Sequence, residues 1–234
     1  MVRGCGVSYA SLAMFKIHIV NWSNRKAYEE PLERHFRLRH QIYVGERNWR
    51  QVERPIPLEI DAFDNADAIY LLGIDDNGNL CGGSRFVPTL KPHLLSDVFP
   101  MLADGDVPRG HDIYEWTRIF VAPLLRKPGE PSLAAGIVLC GLLEAAFVLG
   151  IQQISVVCET FWLDRLERLG WPIKRLGPTI DHPDGAIIAL LIQVTEAALA
   201  SSRAAYGLDD VSVLAACQLK NSQKPEPPAI VIQA

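Results

Sequence analysis

Residues 114–121 read YEWTRIFV. Tyr114, Trp116, Ile119, Phe120 and Val121 are aromatic or β-branched types that suit a pleated surface, so the stretch is expected to be a strand. It also holds a carboxylate, Glu115, and a guanidinium, Arg118, three residues apart. Side chains alternate along a regular strand, so this spacing assigns one charge to each face of the sheet. A charge in an apolar strand must be paired or face a ligand cavity, because an unpaired buried charge is expensive.

Outward from this strand the elements alternate. FKIHIVN (15–21) reads as a strand, and 25–46 as largely helical, with Pro31 breaking the segment or opening a second helix. Residues 46–65 are a loop rich in charge and proline. Strands at 68–75 and 80–89 flank Asn77-Gly78, a strong tight-turn signal, and so form a hairpin. LLSDVFP (94–100) is a short helix. After strand 114–121 come a helix over 132–149, a strand at 154–159, a helix through 162–170 and a strand around 171–177. A strand at 186–194 and a helix at 195–207 complete the pattern. Such an order predicts an α/β fold: one three-layer α/β/α domain on a mixed, largely antiparallel sheet. Residues 1–13 read as an N-terminal extension, 14–217 as the domain, and 218–234 as a loose polar tail.

The longest apolar run, LAAGIVLCGLLEAAFVLGI (133–151), approaches the length of a membrane span. It contains Glu144, begins after a good N-cap, Ser132, and ends at Gly150, where a helix should stop. A core helix is favoured over a span. The 234 residues carry a formal net charge of −4, with no basic stripe to grip a phosphate backbone, so no nucleic-acid partner is expected. Five cysteines without CxxC spacing point to a reduced, cytoplasmic setting. Six scattered histidines give no metal site, and no cofactor is expected.

The chemistry candidates cluster in the first half: Arg39, Tyr43 and Trp49; Asp61 and Asp64; Arg85; Glu115 and Arg118. Arg39 and Tyr43 are i and i+4 and share a helix face. Each has a structural explanation when taken singly. Arg39 could pair with Glu33 or Glu46, the aspartates could cap loops, Trp49 could anchor a core, and Arg85 with Glu115 could form an ion pair across adjacent strands. Taken together, these explanations need many coincidences.

The run R39-HQI-Y43-VGERN-W49, then E59-I-D61-AF-D64, then S84-R85-F86-V87-P88-T89, then Y114-E115-W116-T117-R118 resembles the acyl-homoserine-lactone synthases, the LuxI-type autoinducer synthases of bacterial quorum sensing. The likeness covers about residues 14–195, and its five motifs fall in the family's order. Tyr43 stands where that family more often has Phe. The resemblance implies a fold similar to the acyl-CoA N-acetyltransferases, with a V-shaped split between central strands. At such a split an irregular strand would let Glu115 and Arg118 serve different neighbours.

The implied reaction takes the α-amine of S-adenosylmethionine and the acyl group of a thioester, then closes the lactone with loss of methylthioadenosine. The amine must lose a proton, so a carboxylate base is needed. Glu115 is the first candidate, with Asp61 and Asp64 as competitors. Asp61 and Asp64 suit the cationic sulfonium and ammonium, and Trp49 offers a π-face beside Tyr43. Arg39 or Arg85 could grip the substrate carboxylate, and Arg118 joins the same binding set. The acyl pocket is expected at Val156, Phe161 and Trp162. Val156 has no hydroxyl for a 3-oxo group, so an unsubstituted, branched or aryl acyl chain is expected. The donor is acyl-CoA or acyl carrier protein. Arg126, Lys127, Lys174 and Arg175 could dock an acidic carrier. The sequence most resembles the acyl-CoA branch, and Arg126 with Gly129 approximates a pyrophosphate loop, a weak motif alone. Two rivals remain at this level: a generic acyl-CoA N-acyltransferase, which needs no methylthioadenosine release, and a non-catalytic domain that only binds S-adenosylmethionine.

Overall fold

The computed structural model describes residues 15–126, 132–183, 185–208 and 212–216; the extension and tail named above lie outside them. Strands β1 (Phe15–Val20), β2 (Ile69–Asp75), β3 (Leu80–Pro88), β4 (Ile113–Val121), β5 (Gln153–Glu159), β6 (Ile173–Arg175) and β7 (Ile187–Gln193) form one sheet in the order β1-β2-β3-β4-β5-β7-β6. Every adjacent pair is antiparallel except β4–β5. Helices are α1 (Glu29–Arg39), α2 (Leu94–Asp97), α3 (Leu133–Leu149), α4 (Phe161–Arg168) and α5 (Glu196–Tyr206). Alternation along the strands feeds two faces. Leu71, Phe86 and Trp116 pack with α3, α4 and α5, while Tyr70 and Leu72 pack with α1 on the other side. This is the expected three-layer α/β/α arrangement.

The helix α3 lies in the core. Ser132 Oγ accepts from the Ala135 N–H at 3.1 Å, and Gly150 ends the helix in the left-handed region at φ 71°. Glu144, costly in an apolar helix unless paired, accepts from Arg203 Nη2 (2.8 Å), Ser212 Oγ (2.7 Å) and the Val213 N–H (3.1 Å). It thereby anchors residues 212–216, which pair along the outer edge of β1 through Ile17 N–H to Val213 O (2.8 Å) and Ala215 N–H to Ile17 O (3.0 Å). Among the described residues no helix is long and apolar enough to cross a membrane.

Of the two roles the sequence leaves open for Pro31, the structure shows the helix opener, since it falls in the first turn of α1. Residues 25–46 are helical throughout, as expected in large part, but in three geometries. A short 3₁₀ turn, Arg25–Tyr28, leads in, and His40–Glu46 continues from α1 as a π-helix, a geometry often found at functional sites.

Two departures from regular sheet geometry build the site. First, β4 and β5 pair only over Ile113–Glu115 with Gln153–Ser155. Beyond Glu115 and Ser155 the pairing stops, which is the V-shaped split that the resemblance implies. Second, β4 carries a bulge. Gly83 faces Phe120 and Arg85 faces Thr117, so Ser84 is opposed by two residues, Arg118 and Ile119. Arg118 adopts φ 57°, in the left-handed region that a non-glycine residue seldom occupies. The expectation of one charge per face is therefore corrected. Glu115 lies on the same face as Arg85 and Thr117, and the bulge swings Arg118 round to meet the partners of Arg85 on that side.

Candidate active site

The π-helix, the loop after it and the bulged strand converge on a buried ion network of three guanidiniums and three carboxylates. Arg39 donates to Glu59 at 2.5 Å and to both oxygens of Asp64 at 2.8 and 2.9 Å. Arg85 donates to both oxygens of Asp61 at 2.6 and 2.9 Å, lies 2.7 Å from Asp64, and donates through Nε to Thr117. Arg118 closes the ring, 3.1 Å from Glu59 and 2.8 Å from Asp61. Arg39, Arg85, Glu59 and Asp64 have no exposed side-chain surface. Forked guanidinium–carboxylate pairs of this kind are strong and geometrically demanding. Burial disfavours the Glu59 carboxylate, but the Arg118 and Arg39 charges outweigh it and hold the group at about 2. Burial acts on Asp64 in the same way, and Arg39 and Arg85 hold it well below the usual carboxylate range.

Beside this network lies a cavity of about 350 Å³ at the split between β4 and β5. Its polar end is an aromatic shelf. Tyr43 and Trp49 stack with centroids 4.9 Å apart and planes 20° from parallel, and the Arg118 guanidinium lies 5.5 and 5.9 Å from their two rings. The Tyr43 hydroxyl, which a Phe would lack, donates to Ile119 O at 2.8 Å and ties the π-helix to the bulge. The apolar end is formed by Trp116, Val156 and Trp162, with Phe99 and Ile187 beyond them. Trp116 meets Trp162 edge to face at 5.7 Å.

The candidates named from sequence divide by position. Tyr43, Trp49, Asp61, Arg118, Val156 and Trp162 line the cavity. Arg39, Asp64 and Arg85 stand in the buried network behind it. Glu115 is fully buried and lies outside the cavity wall; its oxygens accept the N–H groups of Leu94 and Leu95, each at 2.7 Å, at the start of α2. It forms no ion pair with Arg85, whose partners are the two aspartates. Burial raises Glu115 from 4.5 to about 7, against the two backbone donors and the more distant arginines. Phe161 is half exposed, does not line the cavity, and meets the Trp162 ring in a tilted contact at 5.5 Å. Arg126 donates to Val121 O and pairs with Glu46, while Gly129 and Lys127 lie outside the described residues. Lys174 and Arg175 are exposed on the edge strand β6. Sequence reasoning passed over Glu59, which bridges Arg39 and Arg118. Its place two residues before Asp61, on the same side of an extended chain, was the available signal.

A site with cationic and anionic groups beside an aromatic shelf at one end, and an apolar chamber at the other, can hold a charged aromatic substrate against an acyl chain. Comparison with known proteins gives the chain's family. The family model for the autoinducer synthases matches residues 23–201. An isovaleryl-homoserine lactone synthase from Bradyrhizobium diazoefficiens is 40% identical over 162 residues, covering 69% of this chain and 72% of that protein. The solved structure of MesI, a CoA-dependent acyl-homoserine lactone synthase, is 56% identical, with a TM-score of 0.78 over 86% of this chain and all of that one. BjaI, another CoA-dependent synthase, solved with SAM and isopentyl-CoA, is 33% identical, with a TM-score of 0.80 over 86% of this chain and 92% of its own. The match along three quarters of the chain and the split sheet with its charged bulge lead to one assignment: this chain belongs to the autoinducer synthases, acyltransferases that make acyl-homoserine lactones, and within them it resembles the acyl-CoA-using branch.

Proposed function

We propose that the protein joins S-adenosylmethionine to a branched or aryl acyl group delivered as its CoA thioester. The observation that carries this reading is the two-ended cavity at the strand split. The CoA-dependence named for MesI and BjaI, and the isovaleryl product named for the Bradyrhizobium protein, support the choice of donor and chain. Val156 and Trp162 offer the acyl chain only apolar contact. Three buried free thiols, Cys81, Cys140 and Cys158, suit a reducing cytoplasm. S-adenosylmethionine is consumed in the reaction as a substrate, so no cofactor is required.

In this scheme the adenosyl sulfonium lies against the Tyr43–Trp49 shelf, whose π-faces suit a cation. The α-ammonium loses a proton before the nitrogen attacks the thioester carbonyl, and the C–S bond breaks to release the thiol. The oxygens of Asp61 are taken up by Arg85 and Arg118, so the proton passes through water to Glu115. A carboxyl near 7 is matched to that task at neutral pH. Thr117, two residues along on the same face, lines the cavity wall. The methionine carboxylate then attacks its own γ-carbon, the bond to sulfur breaks, and methylthioadenosine leaves. Positioning is sufficient for this second step, since attacking and leaving groups belong to one bound molecule.

A methylthioadenosine-release assay tests the reading. S-adenosylmethionine would be supplied with isovaleryl-, cinnamoyl-, p-coumaroyl-, hexanoyl- and octanoyl-CoA, and with the same groups on acyl carrier protein. Release with a branched or aryl CoA is expected. Release with carrier protein alone would reverse the donor assignment. Acyl transfer to other amines without methylthioadenosine would point to a generic N-acyltransferase. Glu115→Gln is expected to lose turnover while still binding S-adenosylmethionine.

A further inference from the structure

Arg47 and Glu159 carry no role in this scheme, although both line the cavity. Arg47 leaves the end of the π-helix and forms an ion pair with Glu159, the last residue of β5, across the mouth of the strand split. The Arg47 guanidinium also lies 5.7 Å from the Trp49 ring, which Arg118 covers at 5.9 Å. Among the described residues, Arg47 and Arg118 are the arginines on the cavity wall, and Asp61 and Glu159 the acidic residues. Arg118 and Asp61 are committed to the ion network, with side chains 8% and 12% exposed. Arg47 is 38% exposed and Glu159 18%, and each is the other's ion-pair partner. An ion pair so open to water contributes little, so its two members are easily parted.

We propose that this pair is the receptor for the amino-acid end of S-adenosylmethionine, an inference that rests on the synthase reading. The α-carboxylate and α-ammonium are attached to one carbon and form a zwitterion. Inserted between the two side chains, the carboxylate takes Arg47 and the ammonium takes Glu159, so each charge exchanges one partner for another. Arg39 and Arg85, the arginines first expected to grip that carboxylate, are fully buried and forked onto Asp64 and Asp61 in the network. The aromatic shelf beside Arg47 would hold the adenosyl part of the same molecule.

Titration calorimetry with three probes tests the inference: S-adenosylmethionine, its decarboxylated analogue, which keeps the amine, and methylthioadenosine, which has neither group. The wild-type protein is expected to prefer S-adenosylmethionine over the decarboxylated analogue by roughly tenfold or more, the worth of a charged hydrogen bond. Arg47→Met should abolish that preference and leave methylthioadenosine binding unchanged. Glu159→Gln should weaken both amine-bearing probes alike. An Arg47→Met protein that keeps the preference would overturn the inference. So would one that loses methylthioadenosine in parallel, since the pair would then be only a structural strap. A wild-type protein that binds none of the three would defeat the synthase reading itself.

Discussion

Replacing Arg39 by Met measures what the buried network contributes. Arg39 is fully buried and supplies three donors, one to Glu59 and two to Asp64. Met fills much of the volume but leaves three carboxylates facing two guanidiniums. Glu59 keeps Arg118 and Asp64 keeps Arg85, so neither is stripped bare. Removing one partner from a buried ion pair typically costs about 3–5 kcal/mol. For a chain of this size 1 kcal/mol corresponds to roughly 2–4 °C, so the melting temperature should fall by roughly 6–20 °C. The deficit should shrink on mild acidification, because an orphaned carboxylate can take up a proton. Differential scanning calorimetry at two pH values reads this directly. A melting temperature within about 2 °C of wild type, with the loss confined to S-adenosylmethionine KM, would refute the reasoning and return Arg39 to the substrate.

Three further outcomes follow. Glu115 ionises near 4.5 when unfolded and near 7 when folded, so its contribution to stability is complete below pH 4.5 and is lost as pH rises to about 7. That gap corresponds to roughly 3 kcal/mol, and urea midpoints should show a decline across that window that flattens in Glu115→Gln. A Cβ at Gly141 would stand 2.4 Å from Ile17, so Gly141→Ala should force α3 from β1 at a cost of roughly 1–3 kcal/mol; an unchanged urea midpoint would contradict the close packing. Glu144→Gln should speed hydrogen exchange at the Ile17 and Ala215 amides, which pair residues 212–216 with β1, and unaltered protection would show that the segment holds without its anchor.

The site's membership was legible because the ion network needs its charges at fixed places in the chain. Arg39, Asp61, Asp64, Arg85 and Arg118 all stand out as charges near or within apolar elements, and all five meet in one cluster. The ends of α3 were legible because Ser132 and Gly150 act locally. What could not be read was which charges face the cavity and which support it from behind. That depends on the bulge at Arg118, where no glycine marks the left-handed turn; the ring of carboxylates around its guanidinium holds it there instead. The pairing of residues 212–216 with β1 was equally hidden, since so short a stretch has no periodicity and its partner is distant in sequence. In the sequence Glu144 argues only against a membrane span; its role as the anchor of that segment depends on the fold.

That late segment has a consequence for how the chain is made. The Lys16 side chain reaches the Ser212 carbonyl across 196 residues of sequence. At about 5–20 residues per second, β1 therefore waits on the order of 10–40 s after its own synthesis for the residues that cover its outer edge. During that interval the alternate N–H and C=O groups of FKIHIV are open to any other strand, including the same strand of a neighbouring nascent chain. The charge of Lys16 and the imidazole of His18 are then the edge's main protection against pairing with the wrong partner.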